Sequence, residues 1–113
     1  MSFLYVKIPV ANDVPDQFHR LEDKVDQILR KNSVGSVAGW GDSLGNALAD
    51  GSRSVAYTRI DVDVSNITSA VALLQICLPE LGTPAGTEIH YTIDQRRLKD
   101  IYFESKWLLA QPS

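Results

Sequence analysis

Val55-Ala56-Tyr57-Thr58-Arg59-Ile60-Asp61-Val62-Asp63-Val64 is the stretch that decides the fold. Side chains on a strand alternate between its two faces. Ala56, Thr58, Ile60, Val62 and Val64 therefore fall on one side, and Tyr57, Arg59, Asp61 and Asp63 on the other. The pattern predicts a strand with one face in the core and one polar face outside it.

Downstream the period changes from two to about 3.6. Ser65 or Asn66 is suited to cap a helix, and Ile67, Ala70, Val71, Leu74, Cys77, Leu78 and Leu81 form its apolar stripe. Leu73 and Ile76 widen that stripe, so this helix is expected to be the more buried of two. Pro79 has no N–H for the carbonyl of Gln75 and should kink the last turn. Gly82 marks the stop, and Pro84-Ala85-Gly86 turns into a second strand, Thr87 to Ile93. Ile89, Tyr91 and Ile93 are its expected core face, leaving Glu88, His90 and Thr92 on the other.

Upstream, Phe3 to Val10 reads as a strand with Leu4, Val6, Ile8 and Val10 inward and Tyr5 and Lys7 outward; Pro9 should end pairing nearby. Asn12-Asp13-Val14-Pro15-Asp16 is a helix-start signature, and Val14, Phe18, Leu21, Val25, Ile28 and Leu29 recur at helical steps after it. His19, Asp23, Asp26 and their neighbours fall on the side expected to face solvent, and Arg30 and Lys31 suit the C-terminal end of the dipole. Val34 to Trp40 is a short glycine-rich strand. Gly35 and Gly39 point to an edge, a bulge or close approach of another backbone. Residues 41–54 read as a long irregular hairpin loop with Trp40 packing over the sheet edge. The loop has neither the Gly-Lys-Ser/Thr end of a phosphate loop nor a dinucleotide glycine fingerprint.

The order β-α-β-β-α-β, with one crossover helix in each half, predicts an α+β two-layer sandwich of the ferredoxin-like kind. Both helices would lie on one face of a four-stranded antiparallel sheet whose first and third strands are central. Residues 1–113 form one domain in this reading, and 94–113 are a C-terminal extension, either an extra strand or a dimerisation arm. Ile101, Phe103, Trp107 and Leu109 alternate there like a strand with a gap at Ser105, and Ile101, Tyr102, Ser105, Leu108 and Leu109 also fit a helix; the crowding of aromatic and β-rich residues favours extended structure.

Composition bounds the function. The chain has 113 residues, 44% hydrophobic and 22% charged, with a formal net charge of −3, so a broad basic surface for nucleic acid is not expected. A single cysteine, Cys77, excludes an internal disulfide and reads as a core thiol. No apolar run reaches the roughly 20 residues a membrane helix needs. Met1 to Lys7 lacks the pattern of a signal peptide, so a cytoplasmic location is expected.

Three stretches carry a resemblance. Gly39-x-Gly41, Tyr57-x-x-Ile60-Asp61-Val62-Asp63-Val64, and Leu81-Gly82-x-Pro84-x-Gly86-Thr87-x-Ile89-x-Tyr91 resemble a family of small bacterial proteins of uncharacterised function, some of them similar to toxin-immunity proteins. The resemblance covers roughly residues 34 to 93 and supplies no catalytic residue.

Asp61 and Asp63 share one side of a strand, as do Glu88 and His90. Such pairs can work as acid and base or hold a cation, but on an exposed sheet face they more often form cross-strand charge pairs, here with Arg59 and Lys7. No nucleophile elbow, Cys-x-x-Cys or His-Glu-x-x-His is present, and neither a metal nor a cofactor is expected. The sequence thus points to a non-enzymatic protein-interaction module, with a protein partner or a homodimer, and an immunity-like role as one version. Trp40, Tyr57, Arg59, Asp61, Asp63, Glu88, His90 and Trp107 are the candidate binding residues. The alternative is a small-molecule sensor or enzyme using the glycine-rich loop and the polar sheet face of His90, Asp61 and Glu88, with a pocket beneath Trp40.

Overall fold

The computed structural model describes residues 2–9, 21–47, 53–103 and 106–112, with side chains at all of these except 42–47 and 53–56. Strand β1 (Ser2–Pro9), helix α1 (Leu21–Lys31), β2 (Gly35–Ala47), β3 (Arg53–Val64), α2 (Ile67–Glu80), β4 (Glu88–Ile93), β5 (Arg96–Phe103) and β6 (Lys106–Pro112) follow in order. The strands form one six-stranded antiparallel sheet, β2-β3-β1-β4-β5-β6.

The α+β class matches the expectation, but the strand order differs from the four-stranded layout. β5 and β6 extend the sheet beyond β4, so β1 and β4 occupy its middle. The cause is local. Asp94 and Gln95 connect β4 to β5 with φ of 50° and 66°, and positive φ at both central residues turns a strand straight back on its neighbour. The C-terminal extension is thus paired within its own chain and is not a free dimerisation arm. Nor is it one alternating strand. Ile101 and Phe103 face away from the helices, whereas Trp107 pairs with Tyr102 on the helix side.

The core lies between one sheet face and the helices. Val6 stands between Ile60 and Ile89, and Leu4 between Val62 and Tyr91, so three adjacent strands point apolar side chains the same way. Leu21, Val25 and Leu29 of α1 and Ala70, Val71, Leu74, Cys77 and Leu78 of α2 close over them. Ile76 does not join this face. It is 62% exposed, because two residues beyond Leu74 is about 200° around a helix. Burial pushes the Cys77 thiol up to about 11. Val10, Val14, Phe18 and His19 lie outside the described residues.

Within the stretch expected as an irregular loop, residues 41–47 and 53–54 are strand, and residues 48–52 lie outside the described residues. β2 continues opposite β3 through Gly41↔Arg59, Asp42↔Thr58 and Ser43↔Tyr57, with register shifts absorbing the extra residues. One shift, between Val37 and Gly39, leaves Ala38 bulged and moves Trp40 to the row of Ile60, on the helix side. A Cβ on Gly35 would run into the carbonyl oxygen of Asp63 and the Cα of Val64, so only glycine permits this approach. Asp26 is not merely solvated. Its Oδ1 accepts the Val37 N–H at 2.9 Å and both oxygens accept from Arg30 Nε, which fastens α1 to the bulged edge strand.

Helix α2 begins where Asn66 Oδ1 accepts the Ser69 N–H at 3.0 Å. It ends on Gly82 at φ 87°, with Gly82 N–H donating to Pro79 O and Thr83 N–H to Leu78 O. Pro79 leaves the Gln75 carbonyl without its helical donor, and Trp107 Nε1–H takes that place at 2.9 Å. The Gln75 side chain donates to Asp100 Oδ2. Oδ1 of Asp100 accepts Tyr91 O–H at 2.7 Å and Ala110 N–H at 2.8 Å. Asp100, 1% exposed, thereby ties α2, β4 and β6 together.

Candidate functional site

The candidate site is the sheet face turned away from α1 and α2. Alternation along each strand sends Phe3, Tyr5 and Lys7 of β1, Tyr57, Arg59, Asp61 and Asp63 of β3, Glu88, His90 and Thr92 of β4, and Arg97, Lys99, Ile101 and Phe103 of β5 to this side.

Tyr5 is its centre. Its pairing partners are Asp61 on β3 and His90 on β4. The Tyr5 and His90 rings lie 4.4 Å apart and 7° from parallel. The Arg59 guanidinium carbon lies 3.9 Å from the Tyr5 ring centroid. Cation, phenol and imidazole thus stack over three adjacent strands, a geometry favourable for both the guanidinium and the flat rings. Asp61 Oδ1 holds Arg59 Nε at 2.6 Å, and Glu88 Oε1 holds His90 Nε2 at 2.7 Å. A carboxylate only accepts, so Nε2 carries the proton. Lys7 extends over the Tyr57 ring at 4.4 Å, and Phe3 lies 6.5 Å from Tyr5.

Electrostatics favour a neutral imidazole. Burial holds the His90 pKa below its ordinary value, while the hydrogen bond and charge of Glu88 oppose that shift and Lys99 and Lys7 add to it. Asp63 has no ion-pair partner among the described residues. A depression of about 290 Å³ opens at the Phe3 end, lined by Phe3, Tyr5, His90, Tyr91, Thr92, Arg97 and Leu98.

Six of the residues singled out from sequence, Tyr57, Arg59, Asp61, Asp63, Glu88 and His90, share this face. As expected, β1 separates the two carboxylate strands; Tyr5 bridges them. Lys7 meets an aromatic ring rather than an acid. Trp40 and Trp107 are not part of this face. Trp40 is displaced by the β2 bulge and is 61% exposed, and Trp107 is pinned to Gln75. The depression is lined by β1, β4 and β5 and not by Trp40. Tyr5, Arg97, Lys99 and Phe103 were missed as site residues. The Phe3-Tyr5-Lys7 alternation could have found the first; the others required the β4–β5 register.

Among the described residues, no group of three His, Cys, Asp or Glu side chains could hold a metal ion. No described helix is long and apolar enough to cross a membrane. Comparisons with protein-family models, curated proteins and solved structures return no match.

Proposed function

We propose that the chain is a non-enzymatic protein-interaction module that binds a protein partner through the open face of its sheet. The observation that carries this reading is the Arg59–Tyr5–His90 stack. Tyrosine and arginine are the side chains that most often anchor protein interfaces, and here both are already ordered before any partner arrives, which lowers the entropy cost of binding. Phe3, Phe103 and Leu108 add apolar surface on the same side, 47%, 53% and 48% exposed. The β2-β3-β1-β4 order supports a ferredoxin-like core to which the β5–β6 hairpin has been added. Under the resemblance to small bacterial proteins, an immunity-like role in the cytoplasm is one version of this function.

A photo-crosslinking side chain placed at Thr92, on the open face, should give covalent protein adducts in cells, whereas the same group at exposed Ile76 on α2 should give none. Absence of adducts from Thr92, or equal adducts from both positions, rejects the reading. The depression beside Phe3 and Arg97 favours a second reading, a small-molecule sensor. Its test is a thermal-shift screen in which a ligand stabilises wild type and not an Arg97→Ala variant.

A further inference from the structure

We infer that the partner is a second copy of this chain, packed face to face about a two-fold axis that runs along the strands between β1 and β4. This rests on the open face being the interaction surface, and it deepens that reading by naming the occupant.

The argument starts from the distribution of charge across the sheet. Asp61, Tyr5, His90 and Lys99 stand in one row across four adjacent strands. Two residues along, Asp63 pairs with Phe3 and Arg97 pairs with Thr92. In both rows the acid lies on β3 and the base on β5, with β1 and β4 between them. Lys106 of β6 adds a further cation on the basic side, where Phe103 is its pairing partner. In these two rows the acids of β3 and the bases of β5 therefore stand on opposite sides of the Tyr5–His90 pair, while Arg59, one row further along β3, is held by Asp61 and stacked on Tyr5.

A two-fold axis along the strands exchanges the margins and keeps the rows. It sets Asp61 against Lys99 of the second copy and Asp63 against Arg97 of the second copy, each contact occurring twice, as an isologous interface requires. The same operation brings Lys7 of β1 against Glu88 of β4 in the other chain, since these two share a row. A two-fold axis across the strands would instead lay each strand on its own copy, and β5, which turns no acid to this face, would leave Arg97 and Lys99 with no carboxylate opposite them. The charge pattern thus selects one arrangement over its alternative.

The sheet edges favour the face. β2 is interrupted by register shifts, and Asp26 takes the Val37 N–H. β6 carries a register shift, Ala110 at φ 51° and Pro112. Such features block the addition of a further strand. The face is large enough. Five inter-strand spacings of about 4.8 Å and some seven residues at about 3.4 Å each give roughly 24 by 24 Å, or about 1,100 Å² over two copies, above the ~1,000 Å² of a specific interface.

The test is a charge exchange followed by sedimentation velocity at micromolar concentration. Wild type should sediment as a dimer. Asp61→Lys with Asp63→Lys makes both contact regions basic, and Arg97→Glu with Lys99→Glu makes both acidic. Each double variant alone should dissociate, its dimer weakened roughly tenfold or more. Mixed in equal amounts they should re-form a dimer, because every contact in the mixed pair again joins opposite charges; unfolded variants could not do this. A monomeric wild type, or double variants that stay dimeric, overturns the proposal. Mass analysis of the Thr92 adducts separates it from the broader reading. Adducts of doubled chain mass support the second copy. Adducts with another protein alone overturn the dimer while leaving the interaction module standing, and no adduct at all removes both.

Discussion

The indole N–H of Trp107 donates, at 2.9 Å, to the carbonyl oxygen of Gln75, the carbonyl that Pro79 deprives of its helical donor. A break in one helix is thus completed by a strand 32 residues further along the chain. Trp107→Phe should cost about 1–3 kcal/mol, since it leaves a part-buried acceptor unpaired. In a Pro79→Ala background the restored Ala N–H can serve Gln75, so the cost of Trp107→Phe should fall. A double-mutant cycle by urea denaturation measures that coupling; additive losses would show that the two are independent.

Asp100 receives Tyr91 O–H, Gln75 Nε2–H and Ala110 N–H. Asp100→Ala should destabilise by about 2–4 kcal/mol because three donors lose their acceptor at once. Burial first, and the Asp100 hydrogen bond second, push the Tyr91 pKa up to about 12. Asp100→Asn should lower it, read by ultraviolet titration of the phenol.

Ile60 and Asp61 are neighbours with opposite fates, since Ile60 is fully buried and Asp61 sits on the open face. Ile60→Asp should cost more than about 4 kcal/mol through an unpaired buried charge, and Asp61→Asn no more than about 1 kcal/mol through a weakened surface ion pair. Thermal melts of both variants decide; equal stability would contradict the face assignment.

His90 has a folded-state pKa below its unfolded value of about 6.5. The unfolded chain then binds more protons between the two values, so this contribution to stability is present above about pH 6.5 and is lost as pH falls towards the folded pKa. Nuclear magnetic resonance titration of the imidazole should give a midpoint below that of a free histidine. Glu88→Gln should lower it further, because the carboxylate favours the charged ring.

Asp26 behaves similarly at lower pH. The Val37 N–H is the main cause that holds its carboxyl below the ordinary value, with Arg30 adding to it against some burial. Its contribution is complete above the unfolded pKa of about 4 and fades as pH falls through the folded one. Asp26→Asn should flatten the stability curve in that acid range, measured by urea midpoints at successive pH values.

Much of this was legible locally. The alternation of Ile60, Val62 and Val64 with Asp61 and Asp63 named both faces of β3, and Asn66 and Gly82 marked the ends of α2. The β2 boundary was not legible, because glycine and serine read as a loop whereas bulges let them pair. Nor was the tail, where a two-residue turn with positive φ at Asp94 and Gln95 carries no glycine to announce it.

By itself the sequence determined which side chains each strand and helix must hide, since apolar periodicity is a property of the local chain and water rejects the same residues whatever their neighbours. Only the tertiary structure decided which strands adjoin. Register is set by pairing between distant segments, and a single bulge at Ala38 was enough to send Trp40 to the other face. That pairing is what laid Tyr5 between Arg59 and His90, and brought Asp61 and Asp63 of β3 into the same rows as Lys99 and Arg97 of β5.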